Sequence, residues 1–165
     1  MMTQIGRRMF TIGLAFFAIL SLTLGLQSHT AQATPAKPAA AVSAAHSAAY
    51  KASSAFSRAW SKKGGWYSYG ANGPRSYDCS GLTYYAYSHH IPRIAGDQRS
   101  SSKTYHISRW KAVKGDLAFN GYGHVEMVYD FNKSRTQMRT YGAHHTGTRI
   151  SVTSWHKIWH IERVR

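Results

Sequence analysis

The stretch RSYDCSGLTYYAY, residues 75–87, holds the only cysteine of this 165-residue chain, Cys79. It begins where the turn-forming run GANGP, residues 70–74, gives way to apolar and aromatic residues. Leu82, Thr83 and Ala86 stand three, four and seven residues after Cys79 and so share its face on a helix, predicted from Cys79 to about His90. Asp78 is a favoured N-cap, which makes Cys79 the first helical residue. A free cysteine is most often a small buried apolar residue. At a capped helix start, however, a thiolate feels the positive end of the helix dipole and nearby free N–H donors. Both lower its pKa and favour the nucleophilic form. Gly81 permits a close backbone approach, and the first-turn N–H groups suit an oxyanion hole.

Upstream, residues 1–33 carry Arg7 and Arg8, an apolar run from Phe10 to Leu26 and the small triplet Ala31-Gln32-Ala33. That is the layout of a secretory signal peptide. Residues 34–47 are rich in Ala, Pro and Ser and read as a linker. Tyr50, Phe56 and Trp60 recur near helical spacing between about Ala48 and Lys62, before the stop at Gly64-Gly65. Downstream, residues 91–110 are polar and broken by Pro92 and Gly96, room for a short helical turn and a loop. From His124 the period becomes two. Val125, Met127, Tyr129 and Phe131 take one face of a half-buried strand; His124, Glu126, Val128 and Asp130 take the other. Residues 136–144, 148–152 and 158–164 read as further strands. Helices followed by antiparallel strands give an α+β domain over residues 48–165.

One cysteine excludes an internal disulfide and a multi-cysteine zinc site. The pairs His89-His90 and His144-His145 lack the spacing of a metal motif, so no metal and no cofactor is expected. The formal charge is +15, and +13 once Arg7 and Arg8 leave with the signal segment. Such a chain binds polyanions in a salt-dependent way. For an exported protein, anionic cell-wall polymers are the expected partner. Nucleic acid is not, because the basic residues are scattered without an aromatic platform. No second apolar stretch could span a bilayer, so no stable membrane insertion is expected after cleavage. The product is expected to be a monomer outside the cell or at the wall.

A cysteine nucleophile needs an imidazole base. The candidate is His124, which follows Gly121-Tyr122-Gly123 and opens the strongest strand on its less apolar face.

The stretch YSYGANGPRSYDCSGLTYYAY resembles the first motif of the NlpC-type cell-wall peptidases. IPRIAGDQ and KGDLAFNGYGHVEMVYD resemble the segments that follow, in the same order. The similarity covers about residues 48–163. It implies a papain-like α+β fold, with N-terminal helices packed on an antiparallel sheet or small barrel and the nucleophile at a helix N-terminus. It implies a secreted thiol protease hydrolysing amide bonds of peptidoglycan stem peptides, often between D-γ-glutamyl and a diamino acid. Cys79 becomes the nucleophile and His124 the general base, with the Cys79 amide in the oxyanion hole. Tyr67, Asp78 and Ser80 match positions on the substrate-binding side.

The chain departs from the family where the third catalytic group is due. The family places a polar residue at the position of Gly142 and usually a glycine at that of Glu126. If the hairpin after His124 turns about Ser134, His144 lies opposite His124 and could orient it. Glu126, on His124's own face, is the rival. A catalytically silent basic module that binds wall polymer is the alternative to the peptidase.

Overall fold

A computed structural model describes residues 38–165. The signal-peptide expectation for 1–33 lies outside the described residues. The first helix, α1, spans Pro38–Trp60 and so begins inside the segment 34–47 expected to be a linker. That segment is alanine-rich, and alanine is the best helix former; proline is tolerated in a first turn. Burial nevertheless starts only at Ala48. Residues 39–47 are exposed, whereas Ala48, Ala52, Ala55, Phe56 and Ala59 are buried. The packed stripe is therefore mostly alanine, which lets α1 sit close to its neighbours, and Tyr50 points to solvent at 74% exposure.

Two short strands, β1 (Trp66–Tyr67) and β2 (Ser76–Tyr77), pair in parallel ahead of α2 (Cys79–Ala86). Helix α2 stops short of the predicted His90 because Ser88 and His89 adopt left-handed backbone, with φ of 51° and 63°. Helix α3 (Ala95–Ser100) is the short turn predicted after Pro92. The remaining strands are β3 (Thr104–His106), β4 (Leu117–Asn120), β5 (His124–Phe131), β6 (Gln137–Gly142), β7 (Ser151–Val152), β8 (His156–Lys157) and β9 (His160–Val164). They form one antiparallel sheet in the order β3-β9-β4-β5-β6-β7, with β8 also paired to β6.

Both faces of this sheet are covered. Leu117, Phe119, Val125, Met127 and Tyr141 pack against Phe56, Ala59, Leu82 and Ala86 of the helices. On the other side Ala118, Val128, Met138 and Ile161 meet Ile107 and Ala112. Strand β5 is thus buried on both faces rather than half-buried. A bulge between Val128 and Asp130 breaks its alternation. Tyr129 stays with the helical side, and Phe131 crosses to the second cluster.

Asp116 enters β4 through a turn, accepting the Val113 N–H at 2.8 Å. It also receives Arg163 through two bonds of 2.8 and 2.7 Å, with both side chains almost fully buried. Replacing one member of such a pair strands a buried charge, at a cost of about 3–5 kcal/mol. Arg163→Met is therefore expected to lower the unfolding free energy by about that amount, read as a fall in the urea midpoint.

Candidate active site

The end of a turn, one helix and one strand converge at Cys79. Asp78 has extended backbone, and its Oδ1 accepts the Gly81 N–H at 2.6 Å, closing the first turn of α2. Its Oδ2 accepts the Gly70 N–H at 2.9 Å. Arg93 completes the shell with a bidentate pair to Asp78 at 2.9 and 2.7 Å, and bonds to Ser80 Oγ and the Ala71 carbonyl. A side chain at Gly81 would strike the Ala71 carbonyl, so this glycine lets the 70–73 turn lie directly on the helix start. These contacts fix the backbone at the start of α2, where Cys79 sits, before any base is considered.

Cys79 and His124 both line the same cleft, and each shifts the other's titration. Burial alone would raise the thiol pKa. Hydrogen-bonding interaction with His124 and with the Val125 N–H, and the charge on His124, outweigh it, and the pKa is lowered. Burial would likewise lower the His124 pKa. Hydrogen bonds and charge from Cys79 and Glu126 reverse this and push it up to about 10. Both shifts favour the thiolate–imidazolium form of the pair.

His124 Nε2 donates to Glu126 Oε1 at 2.8 Å, which leaves Nδ1 for the sulfur. The same oxygen accepts His144 Nδ1 at 2.6 Å, and Oε2 accepts the Thr140 hydroxyl at 2.5 Å. The Glu126 side chain is 1% exposed. Burial would raise its pKa; the bonds from His124, His144 and Thr140 bring it down to about 2. His144 stands behind the carboxylate, its other nitrogen on Ser151 Oγ at 2.9 Å. The register pairs Met127 with Tyr141 and Val128 with Thr140, which extrapolates to His144 opposite His124. Strand β6 ends at Gly142, and it is the Glu126 side chain that occupies the intervening space.

Gly142 explains why the carboxylate fits. A Cβ there would lie 2.5 Å from Glu126 Cγ, far inside van der Waals contact. The two departures noted in the sequence are therefore one feature: the glutamate on β5 fills the volume that the glycine on β6 leaves open.

A cleft of ≈ 440 Å³ opens over the thiol, lined by Tyr67, Asp78, Ser80, Arg93 and His124 among others. Trp159 presents its ring edge-on to His124, with centroids 5.8 Å apart. Sequence reasoning does not single out Arg93, Thr140 or Trp159 as site residues. These residues lie in loops or on the far strand, and their roles depend on register and loop closure. Only the proximity of Arg93 to Pro92, inside a segment already matched, could have signalled it.

A family model described as the NlpC/P60 family matches residues 64–162. The chain is 45% identical over 60 residues to the "Probable endopeptidase p60" of Listeria innocua serovar 6a, a match covering 34% of this chain and 12% of that relative's length. Among solved structures, the P60 domain from Mycobacterium avium subspecies paratuberculosis antigen MAP1204 aligns with a TM-score of 0.56 and 27% identity. The alignment covers 72% of this chain and 96% of that one. The peptidoglycan hydrolase RipB from Mycobacterium tuberculosis aligns with a TM-score of 0.55 and 26% identity, over 73% of this chain and 66% of that one.

Thiol reactivity reads the site without any substrate. Cys79 is expected to be alkylated by iodoacetamide with a pH midpoint below that of a free cysteine, because the thiolate forms early. Glu126→Gln and Gly142→Ala, which weaken or displace the support of His124, are expected to move that midpoint upward. An unchanged midpoint in both variants would show that the carboxylate does not act on the pair.

Proposed function

This chain belongs to the NlpC/P60 family, and from that membership we propose that it is a secreted cysteine peptidase cutting amide bonds in peptidoglycan stem peptides. The bond class that fits the resemblance joins D-γ-glutamyl to a diamino acid. The observation that carries the reading is Cys79 and His124 lining one open cleft, with His124 bonded to the buried Glu126 carboxylate.

In the proposed reaction Cys79 Sγ attacks the amide carbonyl, and the oxyanion lies against the Cys79 backbone N–H at the start of α2. As the C–N bond breaks, the His124 imidazolium gives its proton to the leaving amine, and a thioester remains on Cys79. Neutral His124 then takes a proton from water. The hydroxide adds to the thioester, and the carboxylic acid departs with regeneration of the thiolate. Glu126 holds the ring so that one nitrogen faces the sulfur throughout, and it stabilises the charged ring. Tyr67, Asp78 and Ser80 contact the peptide on the nucleophile's flank. The surplus of positive charge holds the enzyme near anionic wall polymers, in a salt-dependent manner.

The direct experiment incubates residues 34–165 and its Cys79→Ala variant with purified muropeptides and reads product masses. New fragments are expected from the parent alone. Fragments from both proteins, or from neither, would contradict the mechanism, and wall adherence with no cleavage would favour the silent binding module. The pH dependence carries a sign. The reactive form needs Cys79 ionised and His124 protonated, so kcat/KM rises as the thiol ionises and falls as pH passes about 10. Glu126→Gln removes an acceptor that raises the His124 pKa, so the alkaline limb is expected at lower pH. The double variant Glu126→Gly with Gly142→His moves the orienting group onto β6 and is expected to recover part of the activity lost in Glu126→Gly.

A further inference from the structure

Away from the cleft, three metal-ligating side chains gather where β3 meets β9. The two strands pair antiparallel with His106 opposite Glu162, and His160, two residues before Glu162, projects from the same face. One ligating atom from each of His106, His160 and Glu162 lies within 4.8 Å of the others. The Glu162 side chain is 7% exposed and accepts His160 Nε2 at 2.5 Å. The His106 ring stacks on that of His160, with centroids 4.6 Å apart and planes at 23°. The carboxylate thus forms a floor, and the imidazoles form a rim open to solvent. Phe119 pairs with both His160 and Val125, so this cluster shares a face with Val125, while His124 leaves the sheet on the other.

We propose that His106, His160 and Glu162 bind a divalent transition metal of the zinc class. Two imidazoles and one carboxylate are a recurrent zinc donor set, with a fourth position left for water. Nitrogen-rich ligation also accepts nickel, cobalt or copper and disfavours calcium and magnesium, which take oxygen. The His160–Glu162 hydrogen bond accounts for two of the three groups. It leaves unexplained why an exposed imidazole lies face-on against another beside a single buried carboxylate. A bound cation accounts for all three, because it neutralises the buried carboxylate and takes a lone pair from each ring. Ligands of a tetrahedral zinc stand about 3.3 Å apart, a spacing that rotation of exposed His106 reaches. Strand β3 is an edge of the sheet, so the metal would staple that edge to β9.

The test uses the Cys79→Ala form of residues 34–165, which removes the catalytic thiol as a competing ligand and makes the result independent of peptidase activity. Equilibrium dialysis against zinc chloride, with metal counted by mass spectrometry, is expected to give one equivalent per chain. Zinc is expected to raise the melting temperature by several degrees. His106→Ala, at an exposed position, is expected to weaken binding at least about tenfold and to abolish most of that rise. Glu162→Gln is expected to do the same. No retained zinc, or zinc held equally well by the His106→Ala protein, would overturn the assignment.

Discussion

The arrangement of the cleft depends on a buried carboxylate. Glu126 is 1% exposed, and a charge in that position is tolerable only if its lone pairs are filled. Both oxygens are partnered: one takes His124 and His144, the other takes Thr140. The partners come from β5 itself, from β6 and from the loop beyond it, so the network also ties the hairpin together next to the thiol. An isolated carboxylate here would have to take up a proton, and His124 would lose the group that holds its ring and its charge.

That network is possible because β5 is covered on both sides. The helical layer buries Val125 and Met127, which sets the register of the strand, and alternation then sends His124 and Glu126 the other way. The carboxylate meets a position where β6 has no side chain. A group on one strand and a void on its neighbour are complementary in volume, and neither residue makes sense by itself. The nucleophile is set up independently, by the Asp78 cap and the Arg93 clamp on α2. Helix and strand each bring a finished half of the site, and Cys79 and His124 meet across the cleft.

Much of this was legible in the chain. Asp78 before a lone cysteine announced a capped helix start, and strict alternation after His124 announced the strand. The order of the motifs pointed to the family that the matched model then showed. What escaped had physical causes. Alanine gives no amphipathic signal, so the helix over Pro38–Trp60 looked like a linker at its start. The bulge near Asp130 moved Phe131 to a face that period counting could not foresee. The choice between Glu126 and His144 as the neighbour of His124 turned on side-chain volume at Gly142, which no spacing records. His106 and His160 are far apart in the sequence and gave no motif, because only pairing of β3 with β9 brings them together.

The charge state of His124 is the most direct check on the whole arrangement. In protein labelled with nitrogen-15, the two ring nitrogens of His124 can be followed by NMR from pH 6 to 11. Both are expected to carry protons at pH 8, with the change to the neutral ring near pH 10 and earlier in Glu126→Gln. A neutral His124 ring at pH 8 beside a protonated Cys79 thiol would contradict the ion pair, and with it the role of the buried glutamate in holding that ring charged.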